Sequence, residues 1–277
     1  MPELPEVELI SRSLHSLVKG RTIATAELFR QKLTPESTAA QFAESLGRKR
    51  INFVHRRGKH ILFDLDGETT LIVHLRMSGR FSLLNAEATN PKFTHAIFHL
   101  VGGDKLIFDD QRHFGLMKIV RTNQLHEAKE LKKLAPEPFS DEFSHEYFRS
   151  VLKGSKRSLK EFLIDQTKVC GVGNIYASEA MFAAGIHPAV AADKLSRPKA
   201  AKLYDSIRGV LTEAISYGEN LEVDPENLEG NYFSGRGELS WFVYDRENEP
   251  CRNCKTSIVR LKQGGRSTYF CRKCQRK

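Results

Sequence analysis

Apolar residues recur at Val7, Ile10, Leu14, Leu17 and Val18 and stop at Gly20, the spacing of one buried helix face closed by a glycine. Beyond Gly20 the rhythm shortens. Ile51–Val54, His60–Leu65, Thr70–Leu75, Ala96–Leu100, Lys105–Phe108 and Leu116–Val120 are short β-prone runs, broken by turn formers such as Gly67 and Gly102-Gly103. They predict an antiparallel β-sandwich or barrel with one leading helix over residues 1–122. From about Gln124 to Tyr217 the spacing is helical, and Ala135-Pro-Glu-Pro-Phe139 ends a linker expected over 123–138. Leu159–Asp165 and Ile175–Ala184 read as helices around a turn containing Gly171 and Gly173, the second stopped by Gly185 before Pro188. Residues 218–240 carry glycines and few apolar positions. They are expected to be a mobile loop closing a helical unit over 139–240. The last unit is 241–277. The fold class expected is α+β with several domains.

Composition narrows the setting. The chain has 277 residues, enough for two cored domains, and 40% of them are apolar. No apolar run approaches the roughly 20 residues of a membrane helix, and the acidic N-terminus does not read as a signal peptide. A cytoplasmic protein with no membrane association is expected, and nothing in the pattern calls for more than a monomer. Net charge is +9, and between Pro250 and Lys277 nine Lys or Arg stand with no Asp or Glu. A positive surface so concentrated suits the release of counterions from a nucleic-acid backbone.

Within that basic segment lie Cys251-x2-Cys254, a gap of sixteen residues, and Cys271-x2-Cys274. Each pair puts two thiolates on one side of a tight knuckle, and two knuckles close a tetrahedron around one structural zinc. Ser257–Leu261 and Ser267–Phe270 flank Gln263-Gly264-Gly265, so the metal is expected to hold a β-hairpin that displays Arg266. Two disulfides are the alternative, disfavoured in a reducing compartment. Cys170, the fifth, reads as a packing residue.

Three further stretches carry candidate chemistry. With Met1 removed, Pro2 would present a secondary amine of pKa near ~8, able to attack C1′ of a sugar and form an iminium, with Glu3 moving protons. Alternatively, Pro2 and Pro5 frame a helix start whose positive end favours Glu3, Glu6 and Glu8. Those eight residues alone favour the second reading. Lys160 and Asn174, with Gly171-Val-Gly173 just before, would gather donors around a helix start suited to a phosphate, although taken alone the stretch reads first as an ordinary helix–turn–helix corner. Arg56-Arg57-Gly58-Lys59 reads equally as a solvated turn. Met77, Arg112 and Phe114 are each ordinary core or surface residues singly, but together could fill a duplex when a base is flipped out.

Taken in order, Pro2-Glu-Leu-Pro-Glu-Val-Glu8, Arg57-Gly-Lys59, His74–Gly79, Asp110–Gly115, Leu134-Ala-Pro-Glu-Pro138, Asp165–Pro188 and Cys251–Gln275 resemble the formamidopyrimidine-DNA glycosylase and endonuclease VIII family, more closely its formamidopyrimidine branch. The resemblance implies an N-terminal β-sandwich and a helix–two-turn–helix domain with a zinc-bound hairpin finger. It implies excision of oxidised or ring-opened purines from damaged double-stranded DNA, followed by β,δ-elimination. Pro2 would be the nucleophile, Glu3 the general acid/base, Glu6 its support, and Lys59 and Arg266 further catalytic groups. His74, Met77, Arg112, Phe114, Lys160, Asn174 and Arg266 would contact DNA. One stretch departs. Tyr217–Gly230 has five acidic residues and no threonine where the family's formamidopyrimidine branch usually carries a Gly-Gly-Thr-Thr-like run before a lesion-closing loop. It is expected to point away from the DNA or to make a different pocket. Oxidised pyrimidines or bulky alkylated purines, or damage binding without catalysis, are the alternatives.

Overall fold

The computed structural model describes residues 1–220, 224–229 and 241–277. Two compact units result. The first takes Met1–Lys132 and the chain that returns from Gly218; the second takes Lys133–Tyr217 and the C-terminal residues to Lys277.

The first unit opens on α1 (Leu4–Val18), whose buried face carries Leu4, Val7, Ile10, Leu14 and Val18. Strands β1 (Ile23–Leu28), β6 (Thr94–Leu100), β7 (Lys105–Asp110), β5 (Gly79–Leu84) and β9 (Leu228–Glu229) form one antiparallel sheet in that order. Strands β2 (Ile51–Arg57), β3 (His60–Leu65), β4 (Thr69–His74) and β8 (Leu116–Arg121) form the other. Their apolar faces meet in one core, where the Phe63 ring of one sheet lies 5.6 Å from Phe81 of the other. Helix α2 (Ala39–Leu46) starts on a Thr38–Gln41 capping box and adds Phe42 and Leu46 to that core. The sandwich is as expected. Alternation did not reveal β1, whose burial follows an irregular Ile23-to-Leu28 pattern, or the short α2.

Residues 224–229 correct the reading of 218–240 as a loop of the helical unit. Gly218 and Glu219 end a helix, and β9 is the edge strand of the first unit's sheet. Its Leu228 pairs with Phe81 and is buried in the sandwich core, and Leu83 N donates to Pro225 O at 2.8 Å. The buried leucine and these backbone pairings hold the acidic stretch on the sheet. The rest of the expected loop, residues 221–223 and 230–240, lies outside the described residues.

The second unit holds α3 (His145–Lys153), α4 (Leu159–Leu163), α5 (Asn174–Ala184) and most of α6 (Arg197–Glu219), followed by the hairpin β10 (Ile258–Gln263) and β11 (Arg266–Cys271). The expected helical run from Gln124 begins only as a 3-10 turn over Thr122–Glu127; turns fill the chain until Ser144 caps α3. Gly185, in the left-handed region at φ 73°, stops α5 as its position predicted. Gln275 Nε2 donates to Ile186 O at 3.0 Å, fastening the C-terminal residues beneath that stop. Among the described residues no helix is long and apolar enough to cross a membrane.

Candidate functional site

In the first unit the head of α1 is built as the helix-start reading of its sequence expects. Glu3 is the N-cap and forms a capping box with Glu6; its backbone N–H donates to Glu6 Oε2 at 2.7 Å. Pro2, Glu3 and Glu6 are all buried. The acidic cluster therefore both starts the helix and fixes the backbone directly after Pro2. A buried carboxylate pair beside a prospective amine can move protons without competition from bulk water.

The turn Gly58-Lys59 joins β2 to β3 as a two-residue hairpin loop, with Gly58 at φ 58°. Lys59 is only 6% exposed, which overturns the solvated-turn reading. Beside it, His60 and His74 meet edge to face at 4.7 Å. Burial, reinforced by the positive charges of Arg76, Arg57 and Lys59, lowers the His60 pKa to about 4. Burial lowers that of His74 to about 2, aided by His60, Arg76 and Lys59. Both rings are thus neutral at physiological pH. Nδ1 of His74 accepts from Arg76 N–H at 3.0 Å, which leaves its Nε2–H as a donor. His60 escaped the sequence reading, although its position directly after Lys59 at the head of a run of buried apolar residues was a signal.

Met77, Arg112 and Phe114 converge because Gly79 of β5 pairs with Asp110 of β7, so the turn before one strand and the turn after the other are neighbours. Asp110, 0% exposed, stitches the turns together. Its carboxylate accepts from Ser78 Oγ at 2.5 Å, Arg112 N at 3.2 Å, and Phe114 N and Gly115 N at 2.7 Å each. A Cβ at Gly79 or Gly115 would come within 2.8 Å or less of the Phe108 ring, so both positions need glycine for space. Outward from this base stand Met77, 46% exposed, and Phe114, 55% exposed, with the Arg112 guanidinium 5.5 Å from the Phe114 ring centre. Two large apolar side chains held out in water on rigid turns are suited to wedging between stacked bases.

In the second unit, Lys160 is fully buried. Its Nζ donates to Asn174 O at 2.7 Å and to Ser178 Oγ at 2.9 Å, so the cation is built into the first turn of α5. Asn174 Nδ2 donates to Ser267 O at 3.0 Å, while its Oδ1 is buried without a hydrogen-bond partner. Ser267 follows Arg266, the exposed first residue of β11, after the left-handed pair Gly264 and Gly265. Lys160 and Asn174 thus meet at one helix start, whose positive dipole end favours an anion, and Arg266 precedes the residue that Asn174 bonds. Glu179 on α5 was not singled out in the sequence. Its buried carboxylate accepts from the backbone N–H groups of Phe242, Val243 and Tyr244 at 2.8–3.0 Å, pinning the chain that enters the finger.

The four finger cysteines are unpaired by disulfides, and their Sγ atoms lie within 4.8 Å of one another. Cys251 and Cys274 are 3.8 Å apart and Cys254 and Cys271 3.4 Å, near the roughly 3.8 Å between sulfurs of a tetrahedral zinc site with Zn–S of about 2.3 Å. Hydrogen bonds from Thr256 pull the Cys254 pKa down to about 6, while burial and the other sulfurs push Cys274 up. Such crowding of thiols is relieved by a divalent cation. The site holds one structural zinc; four protein ligands leave no open position for catalysis. Cys170 is fully buried in the second unit, as a packing residue should be.

Comparison with known proteins covers the chain from end to end. Residues 1–117 match the formamidopyrimidine-DNA glycosylase N-terminal domain, 134–223 the formamidopyrimidine-DNA glycosylase H2TH domain, and 248–276 the zinc finger found in FPG and IleRS. A formamidopyrimidine-DNA glycosylase of Bacillus licheniformis is 40% identical, with 100% of both chains covered. Among solved structures, the Lactococcus lactis Fpg bound to DNA containing an abasic site is 33% identical with a TM-score of 0.91, covering 99% of this chain and 100% of that one. The same L. lactis protein bound to N7-benzyl-Fapy-dG DNA is also 33% identical with a TM-score of 0.91 and full coverage of both chains.

Proposed function

The chain belongs to the formamidopyrimidine-DNA glycosylase family, and from that premise we propose that it excises oxidised or ring-opened purines from duplex DNA and then cleaves the strand through a covalent adduct on Pro2. The observation that carries this reading is Pro2 set directly before the buried Glu3–Glu6 capping box.

The chemistry requires the working protein to start at Pro2, because only a terminal proline offers a secondary amine; behind Met1 its nitrogen is a tertiary amide. The amine lone pair attacks C1′ as the C1′–base bond breaks, and the base departs with that bond's electron pair and a proton. Opening of the sugar ring gives an iminium between Pro2 and C1′. Loss of the C2′ proton then expels the 3′ phosphate, a second proton loss expels the 5′ phosphate to leave a one-nucleotide gap, and water hydrolyses the remaining iminium, freeing Pro2 and an unsaturated aldehyde. Glu3 is suited to carry these protons and Glu6 to hold it in place. Lys59, buried among neutral imidazoles, supplies positive charge near the departing groups. His74 donates to the backbone from Nε2, and Met77, Arg112 and Phe114 fill the space of the extruded nucleotide, Arg112 facing the orphaned base. Asn174 and Arg266 hold phosphates, with Lys160 setting the helix start from behind. The protein works as a monomer in the compartment that holds the DNA.

One observation favours a second lesion class. Tyr217–Gly230 is acidic and lacks threonine, and its Leu228 is anchored on the sandwich. Oxidised pyrimidines or bulky purines with the same Pro2 chemistry are the alternative. Incision of duplexes bearing 8-oxoguanine, a formamidopyrimidine or an oxidised pyrimidine decides between them. Fastest cleavage of the purine duplexes, with phosphates on both sides of the gap, is expected. Preference for the pyrimidine would favour the alternative, and binding without incision would overturn both.

A further inference from the structure

One contact beneath the wedge turn has no part in the Pro2 chemistry. His95, on β6, is buried with its ring against Phe108, and its Nε2 lies 2.9 Å from Nδ1 of His113. The two ring planes are 11° apart, so one ring nitrogen donates to the other. His113 stands between Arg112 and Phe114 at φ 62°, a left-handed conformation, and its backbone N–H donates to Asp110 O at 3.2 Å. Phe93 closes on its ring edge to face at 5.9 Å. The Asp110 carboxylate fixes the backbone of the turn; His113 is the side chain by which the turn reaches β6.

We infer that the His95–His113 bond is a proton-sensitive latch that positions Arg112 and Phe114 for entry into the duplex, an inference that rests on the wedge reading above. Neither histidine touches the reacting atoms, and both act as positioning residues.

The bond needs one lone pair between the two rings. A neutral pair supplies it. With one ring protonated the other still offers a lone pair, so the bond survives with charge assistance. With both rings protonated every ring nitrogen is a donor and the latch opens. Facing the pair are Asp109 and Asp110 from β7 and Arg30 after β1, while Lys92 lies over the Phe93 ring and the Arg112 guanidinium over that of Phe114. Burial lowers the His95 pKa, Asp110 and Asp109 oppose that, and His113 and Arg30 add to it, with a net shift downward. The latch is therefore closed at neutral pH and opens on the acid side of the ordinary imidazole range.

The test compares borohydride trapping on a duplex carrying an abasic site with trapping on a single strand carrying the same site, across pH. Both reactions start at the same C1′ with no base to expel, and a single strand has no stack to wedge open, so the ratio of the two rates cancels the proton chemistry at Pro2 and Glu3. In the wild type this ratio falls about five- to tenfold on the acid side, the worth of one hydrogen bond. His113→Phe lowers the ratio by a similar factor at every pH and leaves single-strand trapping unchanged. His113→Asn tolerates the left-handed backbone and offers an amide in place of Nδ1 without titrating. It keeps the neutral ratio and flattens the acid limb. A merely structural role would lower the melting temperature without moving the pH profile of the ratio. A wild-type ratio independent of pH, or a His113→Phe enzyme with the wild-type ratio and profile, overturns the latch. Absence of any trapped single-strand adduct in the wild type is a different result: it removes the Pro2 reading and the latch with it.

Discussion

Arg56 donates from Nε to Glu8 Oε2 at 2.8 Å, and from a terminal nitrogen of the same guanidinium to Gly58 O at 3.2 Å. One half-buried arginine therefore ties α1, which begins just after Pro2, to the turn that carries Lys59. The other carboxylate oxygen of Glu8 accepts from Arg12 at 2.7 Å, and Arg12 also pairs with Glu219. Neither Glu8 nor Arg56 reaches the reacting atoms in this account; they set the distance between groups that do.

Replacing Glu8 by Gln is expected to cost about 1–3 kcal/mol of stability at neutral pH, since the pair is partly exposed. It should slow strand cleavage more than tenfold while abasic-duplex affinity changes little. Burial raises the Glu8 pKa, but Arg56 and Arg12 pull it further down, and the net shift is downward. A depressed carboxylate stabilises the fold above its unfolded pKa, and that contribution is lost as pH falls through the folded value. Thermal melts of wild type and Glu8→Gln should thus differ at pH 7 and converge in acid. Parallel curves down to the lowest pH would contradict the ion-pair account.

Met77→Ala and Phe114→Ala remove exposed side chains, so unfolding midpoints should move within experimental error. Base excision from duplex should fall roughly ten- to a hundredfold, the scale of losing a few kcal/mol of unstacking work. Asp110→Asn attacks the same function from beneath. It weakens the carboxylate that accepts from Ser78, Arg112, Phe114 and Gly115, and should cost both stability and excision. Calorimetry beside incision kinetics separates the exposed pair from the buried base.

Metal analysis should find one zinc per chain. Chelation or Cys254→Ser should release the hairpin, and duplex affinity should fall with a shallower salt dependence as Arg266 and its basic neighbours lose their arrangement. Glu179→Ala leaves all four ligands in place but orphans three backbone N–H groups, a loss of at least about 3 kcal/mol. It should therefore lower the temperature at which zinc is released. Unchanged zinc retention on heating would show that the anchor does not support the finger.

Much of this was legible in residue order. Alternating apolar runs marked most sandwich strands, Gly185 marked the end of α5, and cysteine spacing marked the metal site, because each rests on a local rule. Less legible were features that depend on distant partners. Nothing near Lys160 in sequence shows that its ammonium is spent on Asn174 and Ser178 inside the fold. Leu228 sits among acidic residues, and its burial follows from pairing with Phe81 and joining the sandwich core. The proximity of Met77 to Phe114 follows from β5 pairing with β7, a register that no periodicity encodes. Nothing local to Glu179 shows that the backbone N–H groups of Phe242, Val243 and Tyr244, over sixty residues on, converge on it.

The central claim is that Pro2 becomes covalently joined to C1′. The most direct measurement is borohydride reduction of the enzyme on an abasic duplex, then proteolysis and mass spectrometry of the cross-linked peptide, with Pro2→Gly and Glu3→Gln run in parallel. The account predicts an N-terminus beginning at Pro2, sugar mass on that residue, and weakened trapping in the Pro2 variant. An adduct on Lys59 or another lysine, or efficient cleavage by protein that retains Met1, would contradict it.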